Sequence, residues 1–112
     1  MKLPNAERAV VPGRKITHYL LSTAHRDGRH KSVFFGSVGF KAENWELLDT
    51  ALREHAQSHE VVESIPTFFG EKYIVEGQLT TPDGRNPKIR AVWFIAKGQK
   101  VATLVTAYPL DA

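Results

Sequence analysis

Two short stretches carry the side chains that phosphate chemistry needs. In the first, Arg26, Arg29, His30 and Lys31 crowd ahead of an apolar run, Val33, Phe34, Phe35, Val38 and Phe40. Val33, Phe34 and Val38 recur at helical spacing, so a helix is expected here, with Phe34 and Val38 anchoring it. Its first turn then holds cations where the helix dipole is already positive, each unfavourable by about 0.3–1 kcal/mol. The free N–H groups of such an end attract an anion, and arginine or lysine beside them favours a phosphate. Flanked by Arg29 and Lys31, the His30 imidazole is expected to stay neutral and able to accept a proton. These are the requirements for cleaving a phosphodiester without a metal. The plainer alternative is a solvated loop with Lys31 laid over Phe34 or Phe35.

The second stretch is LVTAYP, near the C-terminus. Residues two apart in a strand share a face, so Thr106 and Tyr108 point the same way. A hydroxyl and a phenol side by side can donate to a phosphate, and Tyr108 can also stack on a base. Both are equally at home as ordinary strand residues.

Weaker candidates surround these. Lys72, Arg85 in the DGR turn and Arg90 could each add a phosphate contact, or simply solvate a strand or turn. His55 and His59 stand four apart on a helix, a spacing that can present two imidazoles to a metal. The third ligand would have to be Glu60 or Glu63 and there is no HExxH, so no metal site is expected. Walker A, GxGxxG and GxSxG patterns are absent, and no cofactor is expected.

Helices and then strands must position these groups. Pro12-Gly13 breaks the chain ahead of RKITHYLLS, a short helix with Ile16, Tyr19 and Leu20 on one side, and Thr23–Gly28 reads as a loop. Gly39 can stop the helix that follows. Trp45, Leu48, Leu52 and Ala56 then form one apolar stripe with acidic residues over the first turns. From Glu71 the period changes to two: Glu71–Thr80, Lys88–Ala96 and Val101–Pro109 read as strands, separated by TPDGRN and KGQK, with a fourth strand near Val61–Ile65. The expected architecture is α+β, with N-terminal helices on one face of an antiparallel meander of three or four strands. The 112 residues are expected to form one domain, helical to about residue 60 and sheet over about 61–110. Trp45 and Trp93 are expected in the core.

Composition narrows the setting. Cysteine is absent, which removes disulfides and thiolate chemistry. No apolar run approaches the roughly 20 residues that span a bilayer, and the N-terminal residues lack a signal-peptide core. A cytoplasmic protein without a membrane partner is expected. Net charge is +3 but unevenly spread: +5 over residues 1–35, −4 over 36–70 and +2 over 71–112. The basic segments could make one polyanion-binding face.

Taken together, KLPNAERAVV, GRHK-x-x-FF, Gly-Phe, GEKYIVEGQL, PDGR and LVTAYP resemble a small bacterial domain family of unknown function over nearly the full length. More distantly, the arrangement is similar to the ribonuclease toxins of the barnase, EndoU, colicin and RelE superfamily. There, helices precede a small antiparallel sheet, and basic and histidine residues on a helix face a hydroxyl–x–aromatic pair on a late strand. In the colicin D-like nucleases that pair is Ser-x-Trp; its counterpart would be Thr106-Ala107-Tyr108, with His30 and Lys31 opposite. His30 and Lys31 are adjacent rather than a turn apart, a departure that leaves open which of them faces the pocket. The resemblance implies a metal-independent endoribonuclease with His30, Lys31, Thr106 and Tyr108 as catalytic residues. Arg29, Lys72, Arg85 and Arg90 would be its RNA contacts. It also implies an inhibitory antitoxin or immunity protein as partner. The alternative is a non-enzymatic adaptor or immunity-like module that uses the same basic face to bind protein or nucleic acid.

Overall fold

The computed structural model describes residues 1–22 and 29–110; the Arg29 side chain and the expected loop Thr23–Gly28 lie outside the described residues. A short helical turn, α1 (Gly13–Lys15), runs directly into a π-helical turn over Ile16–Leu20. Two longer helices follow, α2 (Arg29–Ser37) and α3 (Trp45–Ser58), and then four strands: β1 (Val61–Thr67), β2 (Gly70–Gln78), β3 (Lys88–Ala96) and β4 (Thr103–Pro109). The strands pair antiparallel in the order β1-β2-β3-β4. This is the α+β meander with preceding helices that the sequence pattern predicts. Among the described residues no helix is long and apolar enough to cross a membrane.

The change of period along the chain becomes a two-layer core. On α3, Leu48, Leu52 and Ala56 are fully buried, joined by Ala51 and His55. Alternate residues of the sheet meet them: Tyr73, Val75 and Leu79 from the β2 side, Ile89, Ala91 and Trp93 from β3, and Leu104 and Ala107 from β4. Trp93 is fully buried as expected, while Trp45 packs at the border of the core.

The second helix keeps its expected place but not its expected phase. Val33 is 65% exposed and Phe34 only half-buried, whereas Ser32, Phe35 and Val38 form the inward stripe. Phe35, not Phe34, is therefore the anchor, and its ring meets Phe34 and Phe40 edge-on. Gly39 ends the helix at φ +107, where a Cβ would lie 2.9 Å from the Pro82 side chain. That positive φ and close approach together call for glycine.

Beside the meander, Val10 makes a parallel bridge to Thr103 at the start of β4. The N-terminal segment thus covers the outer edge of the last strand before it turns into α1. This anchorage delivers the π-helical turn to β4.

Candidate functional site

The π-helical turn decides which side chains of RKITHYLLS reach the surface. The Leu21 N–H donates to the Ile16 carbonyl, five residues back, at 2.7 Å. The widened turn buries Ile16 and Leu20 completely. Tyr19 is left half-buried rather than in the core, and Lys15 lies with its ammonium 5.1 Å from the Tyr19 ring centroid. Such turns are rare and recur at functional sites. His18, next in line, is exposed and shares a 2.8 Å hydrogen bond with the Thr17 hydroxyl.

On β4 the ladder is irregular. Val92 pairs with Thr106 but Trp93 pairs with Leu104, so Val105 is an extra residue, a β-bulge. Strict alternation would place Leu104, Thr106 and Tyr108 on one face. The bulge shifts the phase between them. Leu104 and Ala107 are both buried in the core, and Thr106 and Tyr108 are freed together to the other side. Tyr108 stands opposite Arg90, which stands opposite Glu76. Arg90 donates to the Glu76 carboxylate at 2.6 and 2.5 Å and to the Tyr108 phenol at 3.4 Å, with its guanidinium 5.9 Å from the Tyr108 ring centroid.

The two halves of the chain meet here. The Tyr19 phenol oxygen is 3.4 Å from the Thr106 hydroxyl. Lys31, from the first turn of α2, holds its ammonium 5.2 Å from the Tyr19 ring centroid and 6.0 Å from that of Tyr108. The result is a line of alternating cations and phenols, Lys15, Tyr19, Lys31, Tyr108 and Arg90, with the Thr106 hydroxyl beside Tyr19. An open groove of about 660 Å³ runs along one side, lined by Pro12, Arg14, Lys15, His18, Tyr19, Val105 and Thr106. Burial pushes the Tyr19 phenol up, but hydrogen bonds to Thr106 and Lys31 and the charges of Lys31 and Lys15 outweigh it and hold the group below the usual tyrosine range. Two ammonium groups beside a phenol stabilise its anion.

Of the residues singled out by pattern, Lys31, Thr106, Tyr108 and Arg90 are gathered in this cluster. The orientation of the first turn of α2 is resolved: Lys31 faces the phenols, and His30, its neighbour, has an exposed side chain. Arg29 begins the same turn, its side chain outside the described residues. Arg85 is held by Asp83 at 3.0 Å in the turn between β2 and β3 and is 71% exposed. Lys72 pairs with Phe94, four residue pairs along the sheet from Glu76 and Arg90. Arg90 is not a bare cation, because Glu76 balances it. His55 and His59 are engaged elsewhere: His55 Nε2 donates to the Gly77 carbonyl at 3.1 Å and His59 Nε2 to the Gln78 carbonyl at 2.7 Å.

Tyr19, Lys15 and His18 were not legible as site residues. A helix read as regular assigns Tyr19 to the inward face beside Ile16 and Leu20. The one available signal was the Lys15–Tyr19 spacing of four, which pairs a cation with an aromatic ring on a helix surface.

In solved structures the same fold recurs. A chain of the "Contact-dependent growth inhibition toxin - immunity protein complex from Klebsiella pneumoniae 342" superposes with a TM-score of 0.71 at 13% identity, covering 96% of this chain and 97% of that one. At that identity the likeness is one of fold. No curated protein matches the sequence. The sequence itself matches a family over residues 2–111, nearly its whole length, and the chain belongs to the family described as "Domain of unknown function (DUF6883)".

Proposed function

We propose that this protein is a toxin-type, metal-independent endoribonuclease that cleaves RNA by attack of a ribose 2′-hydroxyl on the adjacent phosphate. The observation that carries this reading is the Lys31 ammonium between two phenols, one of which lies within 3.4 Å of the Thr106 hydroxyl at the wall of an open groove lined also by Arg14, Lys15 and His18. A phosphodiester laid there meets one cation and several O–H donors at once. Preorganised donors of this kind act on the charge that develops on the phosphate, where they count most. Lys31 stabilises the non-bridging oxygens and Thr106 orients one of them. Tyr108, steadied by Arg90, stacks on a base. Arg29, Lys72 and Arg85 would extend contact along the RNA backbone. His30 supplies the proton that the leaving 5′-oxygen takes up.

The toxin and immunity protein named for the structural neighbour accord with this reading, and with an inhibitory partner that covers the basic groove. Such a partner would present an acidic surface. The same title also supports a second reading, a non-enzymatic immunity-like module. Purified protein incubated with total RNA should yield fragments ending in 2′,3′-cyclic phosphate and leave 2′-deoxy substrates intact. His30→Ala should abolish cleavage and relieve growth inhibition on expression. Intact RNA across salt and pH, together with unaffected growth, would favour the binding module.

A further inference from the structure

We infer that Tyr19 is a catalytic residue of this site, the base that takes the proton of the attacking 2′-hydroxyl. The inference rests on the ribonuclease reading above and adds a group that the residue pattern did not reveal. Its basis is placement. The Tyr19 oxygen lies 3.4 Å from the Thr106 hydroxyl, so a phosphate oxygen oriented by Thr106 brings the neighbouring ribose to the phenol. Among the described residues, the charged groups facing Tyr19 are Lys15 from its own helical segment and Lys31 from α2, with ring-centroid distances of 5.1 and 5.2 Å. Thr106 faces it from β4, and Arg14 and His18 line the groove beside it. Among the described residues, no carboxylate lines that groove. The π-helical turn supplies the reason for the exposure: it spends Ile16 and Leu20 on the core and turns Tyr19 out to the groove.

The step balances without a cofactor. The 2′-hydroxyl gives its proton to the Tyr19 phenolate as the 2′-oxygen–phosphorus bond forms. The bond from phosphorus to the 5′-oxygen breaks, and that oxygen takes a proton from the His30 imidazolium. Products are a 2′,3′-cyclic phosphate and a 5′-hydroxyl. Solvent then removes the proton from Tyr19 and returns one to His30.

The test has two arms. In the first, full-length protein with carbon-labelled tyrosine is titrated by NMR, with and without a non-cleavable 2′-deoxy dinucleotide. Tyr19 should titrate below Tyr73, and bound nucleotide should raise its midpoint, because a phosphate anion opposes the phenolate. Lys31→Met should raise the midpoint as well. A Tyr19 signal indifferent to nucleotide would overturn the inference whatever the activity proves to be. In the second arm, Tyr19→Phe should lower kcat/KM on RNA by at least about 100-fold, with little change in affinity for the 2′-deoxy analogue. Fluorotyrosine placed at position 19 should move the alkaline limb of the pH–rate profile to lower pH. Wild-type cleavage with undiminished Tyr19→Phe would refute the role of Tyr19 and leave the nuclease reading standing; no cleavage by the wild type would remove both.

Discussion

Among the described residues, polar side chains cross from helix to sheet at the end of α3 and around Tyr19, and the two crossings are built in opposite ways. At the end of α3, His55 and His59 lie with ring centroids 4.7 Å apart, and each donates from Nε2 to a carbonyl of the β2 end. His55 is 2% exposed, and its buried Nδ1 has no hydrogen-bond partner among the described residues. Both imidazoles are committed to holding the helix on the sheet. Around Tyr19 the crossing is made by phenols, ammonium groups and one hydroxyl at looser distances beside open solvent. The first region is a clasp turned onto backbone carbonyls; the second faces open solvent, where an added anion can reach its cations. Spacing alone cannot distinguish them, since two histidines four apart look more like a functional site than a lysine and a tyrosine four apart do.

Substitutions can pull the two regions apart. The largest separation should come from Lys31→Met, which is expected to cut RNA cleavage by about 100-fold or more while leaving thermal stability close to that of the parent. A parallel loss of melting temperature would show that Lys31 belongs to the framework instead. The mirror case is His55→Ala, which leaves the Gly77 carbonyl and a cavity behind and should cost about 2–4 kcal/mol in chemical denaturation, with cleavage per folded molecule unchanged.

Acid should loosen the clasp. Burial lowers His55 from 6.5 to about 4, partly offset by the Gly77 carbonyl and reinforced by His59. The folded protein therefore resists the proton that the unfolded chain accepts. The stability tied to His55 is fully present above pH 6.5 and is lost as pH falls toward 4, by at most about 3 kcal/mol. His55→Gln, which keeps a donor but binds no proton, should flatten that part of the stability–pH curve. An unchanged curve would mean that other groups govern the acid limb.

Gly77→Ala probes the same contact sterically, because a Cβ there would lie 2.5 Å from His59 ring atoms. Displacing the ring from the Gln78 carbonyl should cost about 1–2 kcal/mol. The smallest effect is expected from Glu76→Gln, which releases Arg90 and should tighten RNA binding by no more than about 1 kcal/mol, read from the salt dependence of the dissociation constant.

Much of the fold was legible because burial imposes a period. Leu48, Leu52 and Ala56 at helical spacing, and the alternation through Tyr73, Val75 and Leu79, announce the faces that the structure buries. On α2, Val38 is buried as its spacing predicts, but Phe35 takes the place expected of Phe34, because the two are adjacent and equally apolar and composition cannot choose between them. The site was legible in part for a different reason. Lys31, Thr106, Tyr108 and Arg90 stand in stretches whose residue types already suggest phosphate binding. Tyr19 and Lys15 were hidden because their exposure depends on a departure from regular helix, and a π-helical turn has no pattern of its own in the residues. His18 enters the groove only through the way that turn meets β4.

The bulge at Val105 has a consequence for how this site could change over time. One supernumerary residue lets β4 satisfy two demands that a regular strand of the same residues could not meet together, a core contribution from Leu104 and Ala107 and a surface contribution from Thr106 and Tyr108. Closing the bulge with every residue kept, by a one-residue slip of the ladder on one side of it, would reverse the faces of everything on that side. Either Leu104 would leave the core, or Thr106 and Tyr108 would be driven into it. Removing Val105 itself would instead leave a regular strand with Leu104 and Ala107 inward and Thr106 and Tyr108 outward. The paired hydroxyl and phenol therefore survive a shortening of β4 at the bulge, but not a slip of the strand past it.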